Sequence, residues 1–208
     1  TDENETNCSV DCQIAPPLPP APTGHNSLFK IAADSAENAD SASLEQALKF
    51  NTAESPVFKE IVLSLTKSSG ESIASSKVTQ LLMPSLFTDE LTNNFEDDLT
   101  FFVYTNNKGT WPGFVAKIKS DVNTANLQSD ISKKIIEAST DASGLGGFFL
   151  GADPGQPQTW KTGQTSGFSN NYLAFEKAGF SINFACIEDK LLMSSSYEGF
   201  KEAIRRLQ

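Results

Sequence analysis

Histidine, methionine, tryptophan and cysteine are all scarce in this chain, at one, two, two and three residues among 208. The single histidine, His25, sits in a Pro-rich spacer where nothing fixes the geometry that a Ser/His/Asp triad requires, which removes most His-dependent catalysis. A zinc site of two Cys and two His is excluded by count. An odd number of cysteines does not make a full disulfide framework. Basic residues are also few: 16 Lys and Arg stand against 26 Asp and Glu, for a formal charge of -10. Nucleic acid and anionic membrane surfaces both need clustered Lys and Arg, so neither is an expected partner. No run of about 18 apolar residues is present, and the first residues lack the basic-then-apolar order of a signal peptide. The start at Thr1 without Met is read as a sign that an export signal or membrane helix lies upstream in the precursor.

What is present divides into a tail, 1–27, and a single domain, 28–208. The tail holds Asp2, Glu3, Glu5 and Asp11, no Lys or Arg, and P-P-L-P-P-A-P from Pro16 to Pro22, half of the ten prolines. Such a segment is a stiff, extended stalk in polyproline II geometry. A ligand for an aromatic groove is the alternative, but no basic residue flanks the run. Cys8 and Cys12 are expected to pair in an oxidising compartment, and Asn4 and Asn7 begin glycosylation sequons that matter only in a secretory host.

In the domain, L-F-K-I-A from Leu28 reads as a strand. Helices are predicted at Leu44 to Phe50, from Ser55 to Lys67 with Ser55 as cap and Pro56 in the first turn, at Lys77 to Leu82, and from Asp89 to Phe95 behind Thr88. L-T-F-F-V-Y-T from Leu99, a turn at Asn106 to Gly109, and W-P-G-F-V-A-K-I-K make a hairpin. An amphipathic helix follows over Thr124 to Ala138, with Leu127, Ile131, Ile135 and Ile136 at helical spacing. G-G-F-F-L-G reads as a strand leading into a Gly/Pro/Gln/Thr loop. Further strands are expected at Asn171 to Glu176, Gly179 to Ile187 and L-L-M-S-S-S. The closing helix, Tyr197 to Leu207, has Ser195 and Glu198 as capping box. Hairpin then helix occurs twice, so the expected class is α+β, an antiparallel sheet with helices packed on one face. Cys186 alternates with Phe180, Ile182 and Phe184 and reads as a small buried hydrophobe.

L-T-F-F-V-Y, G-T-W-P-G-F-V-A-K-I-K and G-F-S-I-N-F-A-C-I-E-D-K-L-L-M-S-S-S-Y-E-G-F-K-E-A-I resemble, as a pattern over residues 28–208, a poorly characterised family of bacterial membrane-tethered extracytoplasmic domains of unknown function. The sharpest motif is W-P-G after a hairpin turn. The resemblance implies an exported or membrane-tethered domain behind a Pro-rich linker, and it carries no catalytic residue.

Two catalytic patterns are spelled in part. Gly155 to Thr162 approaches a phosphate-binding loop, but Trp160 stands where a second glycine must let the backbone wrap the phosphates, and the flanking prolines remove amide donors. Ser64-x-x-Lys67, Tyr104-x-Asn106 and Lys161-Thr162-Gly163 follow the order of the boxes of penicillin-recognising serine enzymes, with Ser64 as nucleophile, Lys67 and Tyr104 handling its proton and Lys161 holding a carboxylate. Against this, Ser64 would close its helix where a nucleophile should open one, Lys161 to Gly163 reads as loop where the pattern wants an edge strand, and 181 residues are few for that fold. Glu96, Asp97 and Asp98 could hold a cation, though a charge run is more often a solvated face. Trp111 and Trp160 lie beside Pro, Gly and Thr in turns, so these two, with Lys161, are the candidate contacts with a ligand.

The resulting expectation is a non-enzymatic binding, scaffold or assembly component at the cell surface or outside the cytoplasmic membrane. It needs no cofactor or metal and associates with proteins or with itself. The rivals are a serine acyl enzyme and a carbohydrate-binding module.

Overall fold

Two strands that run side by side through the middle of the sequence form the centre of the fold, β5 (Phe95–Asn106) and β6 (Gly109–Ile118). Every second residue of a strand points to the same side, and along β5 Phe101 and Val103 join one apolar cluster while Phe102 and Tyr104 join another. Both faces of the sheet are therefore core. The protein is described by a computed structural model over residues 24–40, 43, 46, 48–49, 52–67, 69–138, 147–149 and 152–208. Residues 1–23 of the stalk, including Cys8 and Cys12, lie outside the described residues, as does most of the helix expected over 44–50.

Around this pair stand β1 (Ser35–Ala39), β2 (Val57–Leu63), β7 (Lys161–Thr165), β8 (Phe168–Ala174), β9 (Ser181–Ile187) and β10 (Lys190–Ser194), in the order β1-β2-β5-β6-β10-β9-β8-β7, while β3 (Leu65–Thr66) and β4 (Ser72–Ile73) pair apart from this sheet. Every neighbouring pair is antiparallel except β1 and β2, which run parallel, so the sheet is mixed. Among the helices, α1 (Val78–Leu82) and α2 (Asp89–Thr92) are short, whereas α3 (Thr124–Ala138) and α4 (Tyr197–Leu207) are long. α3 has the bounds its apolar spacing predicts.

The expectation that the helices share one face is corrected. α3 contributes Leu127, Ile131 and Ile135 to the cluster of Phe101, Phe114 and Met193, while α4 contributes Phe200, Ala203 and Ile204 to the cluster of Phe102, Val115 and Leu192. The strands between them are apolar on both sides, which demands cover on both.

The largest local correction is 55–67. V-F-K-E-I-V-L is strand β2, paired with β5 from Val57↔Thr105 to Ile61↔Phe101. Phe58, Ile61, Val62 and Leu65 mimic helical spacing only because a strand buried on both faces shows apolar residues at both parities. The β-branched Val57, Ile61 and Val62 favour the extended form.

Leu28 to Ala32 is not a strand of the sheet. It is a strap across the face: Phe29 packs edge-on to Phe58 and Phe102 at 5.2 and 5.8 Å, Leu28 N donates to Thr100 Oγ1 at 2.9 Å, and Lys30 and Ile31 donate to the Arg206 carbonyl. Of the strand expected around 146–151, residues 147–149 are described and form a single 3-10 turn that buries Phe148 and Phe149.

The cap of α4 is also displaced by one residue. Ser196 accepts from Gly199 N at 3.1 Å, while Ser195 donates to the Pro112 carbonyl at 2.9 Å, so the third helical position is Gly199 and no capping box with Glu198 forms. Ser196→Ala is expected to lower stability by about 1 kcal/mol, the usual worth of such a cap, in a urea titration. Ser195→Ala tests the neighbouring bond and leaves the cap intact.

Candidate functional site

One face of the sheet is covered in three parts. The strap lies over β2 and β5, and α4 packs over β5, β6, β10 and β9. Beyond α4, on the same side, β7 and β8 carry a groove of about 420 Å³ lined by Tyr172, Asn170 and Thr165, by Ser181 and Asn183 of β9, and by Tyr197 in the first turn of α4. Pairing places these side chains together: Asn183 stands opposite Tyr172, and Asn170 opposite Gly163, and opposed residues of antiparallel strands share a face.

The floor of the groove is polar and buried. Asn170 is 2% exposed and Asn183 1%. Thr165 donates to Asn170 Oδ1 at 3.2 Å, and Asn183 Nδ2 donates to Ser181 Oγ at 2.7 Å. Among the described residues, Asn170 Nδ2 and Asn183 Oδ1 take no protein partner, and neither is sealed from solvent. Gly163 is what lets Tyr172 lie against β7: a Cβ there would stand 3.2 Å from the ring edge. Tyr197, at the groove's other side, is 46% exposed.

At the opposite end of the same face, His25 is held firmly, contrary to the expectation for a residue of the stalk, 1–27. Its Nδ1 donates to Asp98 Oδ1 at 2.7 Å and its Nε2 to Glu60 Oε1 at 2.9 Å. Ser27 Oγ donates to the other Glu60 oxygen, and Asn26 N to the other Asp98 oxygen. The hydrogen bond to Glu60, with a smaller contribution from Asp98, outweighs burial and raises the imidazole to about 8. The β5 strand makes this possible by a bulge between Phe95 and Leu99, whose loose backbone is tied by Ser75: its hydroxyl donates to the Asp97 carbonyl and accepts from Leu99 N. Both ring nitrogens donate to carboxylates, so His25 has no free lone pair with which to act as a base toward a serine.

The acidic run is divided among these partners. Glu96 pairs with Lys117 at 2.8 Å and Asp98 with His25. Among the described residues no group of three His, Cys, Asp or Glu side chains is placed to hold a metal ion.

The two catalytic patterns resolve in different ways. Lys161 to Thr165 is an edge strand, which removes the objection that this segment is a loop. It also means that no helix N-terminus stands behind Gly155 to Thr162 to receive a phosphate. Ser64 and Lys67 are not on a helix at all, and only helical spacing brings residues three apart onto one side. Six strand steps separate β2 from β7, on the order of 30 Å at about 4.8 Å per step. Tyr104 is buried, and desolvation, with the charges of Glu198 and Glu202, raises its phenol above the usual range. The three boxes do not converge.

Of the candidate contacts, Trp111 is corrected most plainly. It is 2% exposed inside β6, meets Phe180 edge-on at 4.9 Å and donates from Nε1 to Asn106 Oδ1 at 3.0 Å. The sharp W-P-G motif is therefore a packing motif: Trp111 fills the core, the Pro112 carbonyl accepts from Ser195, and Gly113 lies under Phe102. Trp160 is half-buried against Phe184 at 5.7 Å. Lys161 is exposed and pairs with Tyr172, next to the groove. Cys186 is half-buried on β9, and burial pushes its thiol up to about 11.

Sequence reasoning missed Tyr172, Tyr197, Asn170 and Asn183. The signal was the presence of Asn170, Asn171 and Asn183 within strands, where Asn is disfavoured unless its side chain has a task. Comparison of the chain with protein-family models, with curated proteins and with solved structures found no match.

Proposed function

We propose that this chain is a non-enzymatic recognition domain, carried outside the cytoplasmic membrane on its acidic, Pro-rich stalk and acting as a binding, scaffold or assembly component. The resemblance to membrane-tethered bacterial extracytoplasmic domains belongs to this reading, and the hairpin-then-helix order at 99–138 and 180–207 is taken as one local plan used twice. The observation that carries the reading is the part of the sheet face that α4 leaves uncovered, where buried amides and two tyrosines line an open groove. A pocket with a few fixed polar groups is the usual form of a ligand site. The separation of Ser64, after β2, from Lys161, on β7, supports this reading over the serine acyl rival. Proteins or a second copy are the proposed companions, with the five-residue outer strand β7 as the edge open to pairing.

The test is to incubate the full chain with a fluorescent penicillin and with ester reporters. No covalent adduct and no turnover are expected. An adduct that Ser64→Ala abolishes overturns the proposal.

A further inference from the structure

Resting on that reading, we propose that the groove beside α4 is a site for a neutral saccharide, held between Tyr172 and Tyr197 over the amides of Asn170 and Asn183. Four properties of the groove select this ligand class.

First, the lining holds no charged side chain. Lys161, opposite Tyr172, is exposed at the rim and is not part of the lining, so a charged ligand seated over the amides would meet no opposite charge in the lining itself, and the chain's formal charge of -10 opposes anions further.

Second, the buried floor presents one spare donor, Asn170 Nδ2, and one spare acceptor, Asn183 Oδ1, each on an amide whose other end is already bonded within the protein. The inner bonds fix both amides in orientation. A hydroxyl donates and accepts at once, so a ligand with adjacent hydroxyls satisfies both groups from one side. Both groups reach solvent in the open groove, so a matching ligand takes the place of water on them without loss of a hydrogen bond.

Third, the walls are aromatic. The edge of the Tyr172 ring lies close over Gly163 of β7, where a Cβ would stand 3.2 Å from it. Tyr197, at the first turn of α4, is 46% exposed. Aromatic faces carry partial negative charge and attract the polarised C–H bonds on one face of a sugar ring, and tyrosine adds a polar hydroxyl at its rim.

Fourth, the volume of about 420 Å³ lies within the usual range of small-molecule sites. An extended peptide that added a strand would pair along the outer edge of β7, whereas the groove lies on the face of the sheet across β7, β8 and β9.

The test uses the full chain with maltose, cellobiose and N,N′-diacetylchitobiose as probes, followed by amide and side-chain NMR. At least one disaccharide is expected to shift the signals of Asn170, Tyr172, Asn183 and Tyr197. Tyr197→Ala, an exposed position that the fold tolerates, and Tyr172→Ala are each expected to weaken that binding at least fivefold. Lys59→Ala, on the far side of the sheet, is expected to leave it unchanged. Absence of shifts with all three sugars, or binding that survives both tyrosine substitutions, overturns the proposal. Shifts at the same residues with an unstructured peptide and none with sugars overturn the ligand class while leaving a recognition domain. A penicillin adduct at Ser64 overturns the recognition reading itself.

Discussion

Gly113→Ala is expected to destabilise the protein by about 3 kcal/mol or more, in the upper range for overpacking a core. In a thermal scan that corresponds to a drop of roughly 6–12 °C for a domain of this size. A Cβ at Gly113 would stand 2.2 Å from Phe102 Cζ and 2.7 Å from the Met193 carbonyl oxygen. Neither obstacle yields readily. Phe102 is fully buried and stacked on Phe58 at 4.8 Å, with Phe29 against its edge, and the carbonyl belongs to β10, hydrogen-bonded in the middle of the sheet. Shortening the ring should relieve the nearer contact. The pair Phe102→Leu and Gly113→Ala is therefore expected to be less destabilised than the sum of its singles, the difference reading the contact directly. A Gly113→Ala protein within 0.5 kcal/mol of the parent in urea would show that β6 and β10 separate easily.

Stability is expected to fall by about 2 kcal/mol between pH 6 and pH 9, from a rise of the His25 pKa above its ordinary 6.5 to about 8. The raised value means that the folded form binds the proton more tightly than the unfolded one. The contribution is therefore complete below pH 6.5 and is lost as the pH rises through about 8. The imidazole and Glu60 side chains are 9% and 8% exposed, so solvent screens this pair little. Because His25 is the single histidine of the chain, the window is easily assigned. His25→Gln is expected to be less stable at pH 6 and to show a flat profile across the window. Hydrogen exchange gives a local reading: Asn26 and Leu28, whose amides bond Asp98 and Thr100, should exchange faster at pH 9 than their chemistry alone requires. A pH slope that persists in the His25→Gln protein would sink the assignment.

Some of the fold is written locally. α3 appears where Leu127, Ile131 and Ile135 recur, and the central hairpin turns where Asn106 to Gly109 predicts, with Asn106 Oδ1 accepting from Lys108 N, Gly109 N and the Trp111 indole. β9, β10 and α4 fall within a few residues of their expected places. Elsewhere the local pattern misleads. Trp111 sits among turn-forming residues in sequence and in the core in space, because Gly179 and Phe180 fold over it: a Cβ at Gly179 would lie 2.9 Å from the indole. His25 follows a Pro-rich run and yet is pinned by Glu60 and Asp98, 35 and 73 positions away.

What the sequence by itself determined is the class and the exclusions: an α+β chain with one acidic Pro-rich tail, few groups for His-dependent or zinc chemistry, and an acidic surface. Those follow from composition and short-range periodicity, which need no partner strand. The tertiary structure decided which segments lie in the sheet, which side each helix covers and where a ligand could sit. Strand β2 is a strand because β1 and β5 flank it, although its spacing suits a helix. The groove of Tyr172, Tyr197, Asn170 and Asn183 exists because three strands and the first turn of a helix meet where α4 stops short of the sheet's edge. A single segment carries no record of such a meeting, since it depends on strand order and register between residues that neither periodicity nor spacing connects.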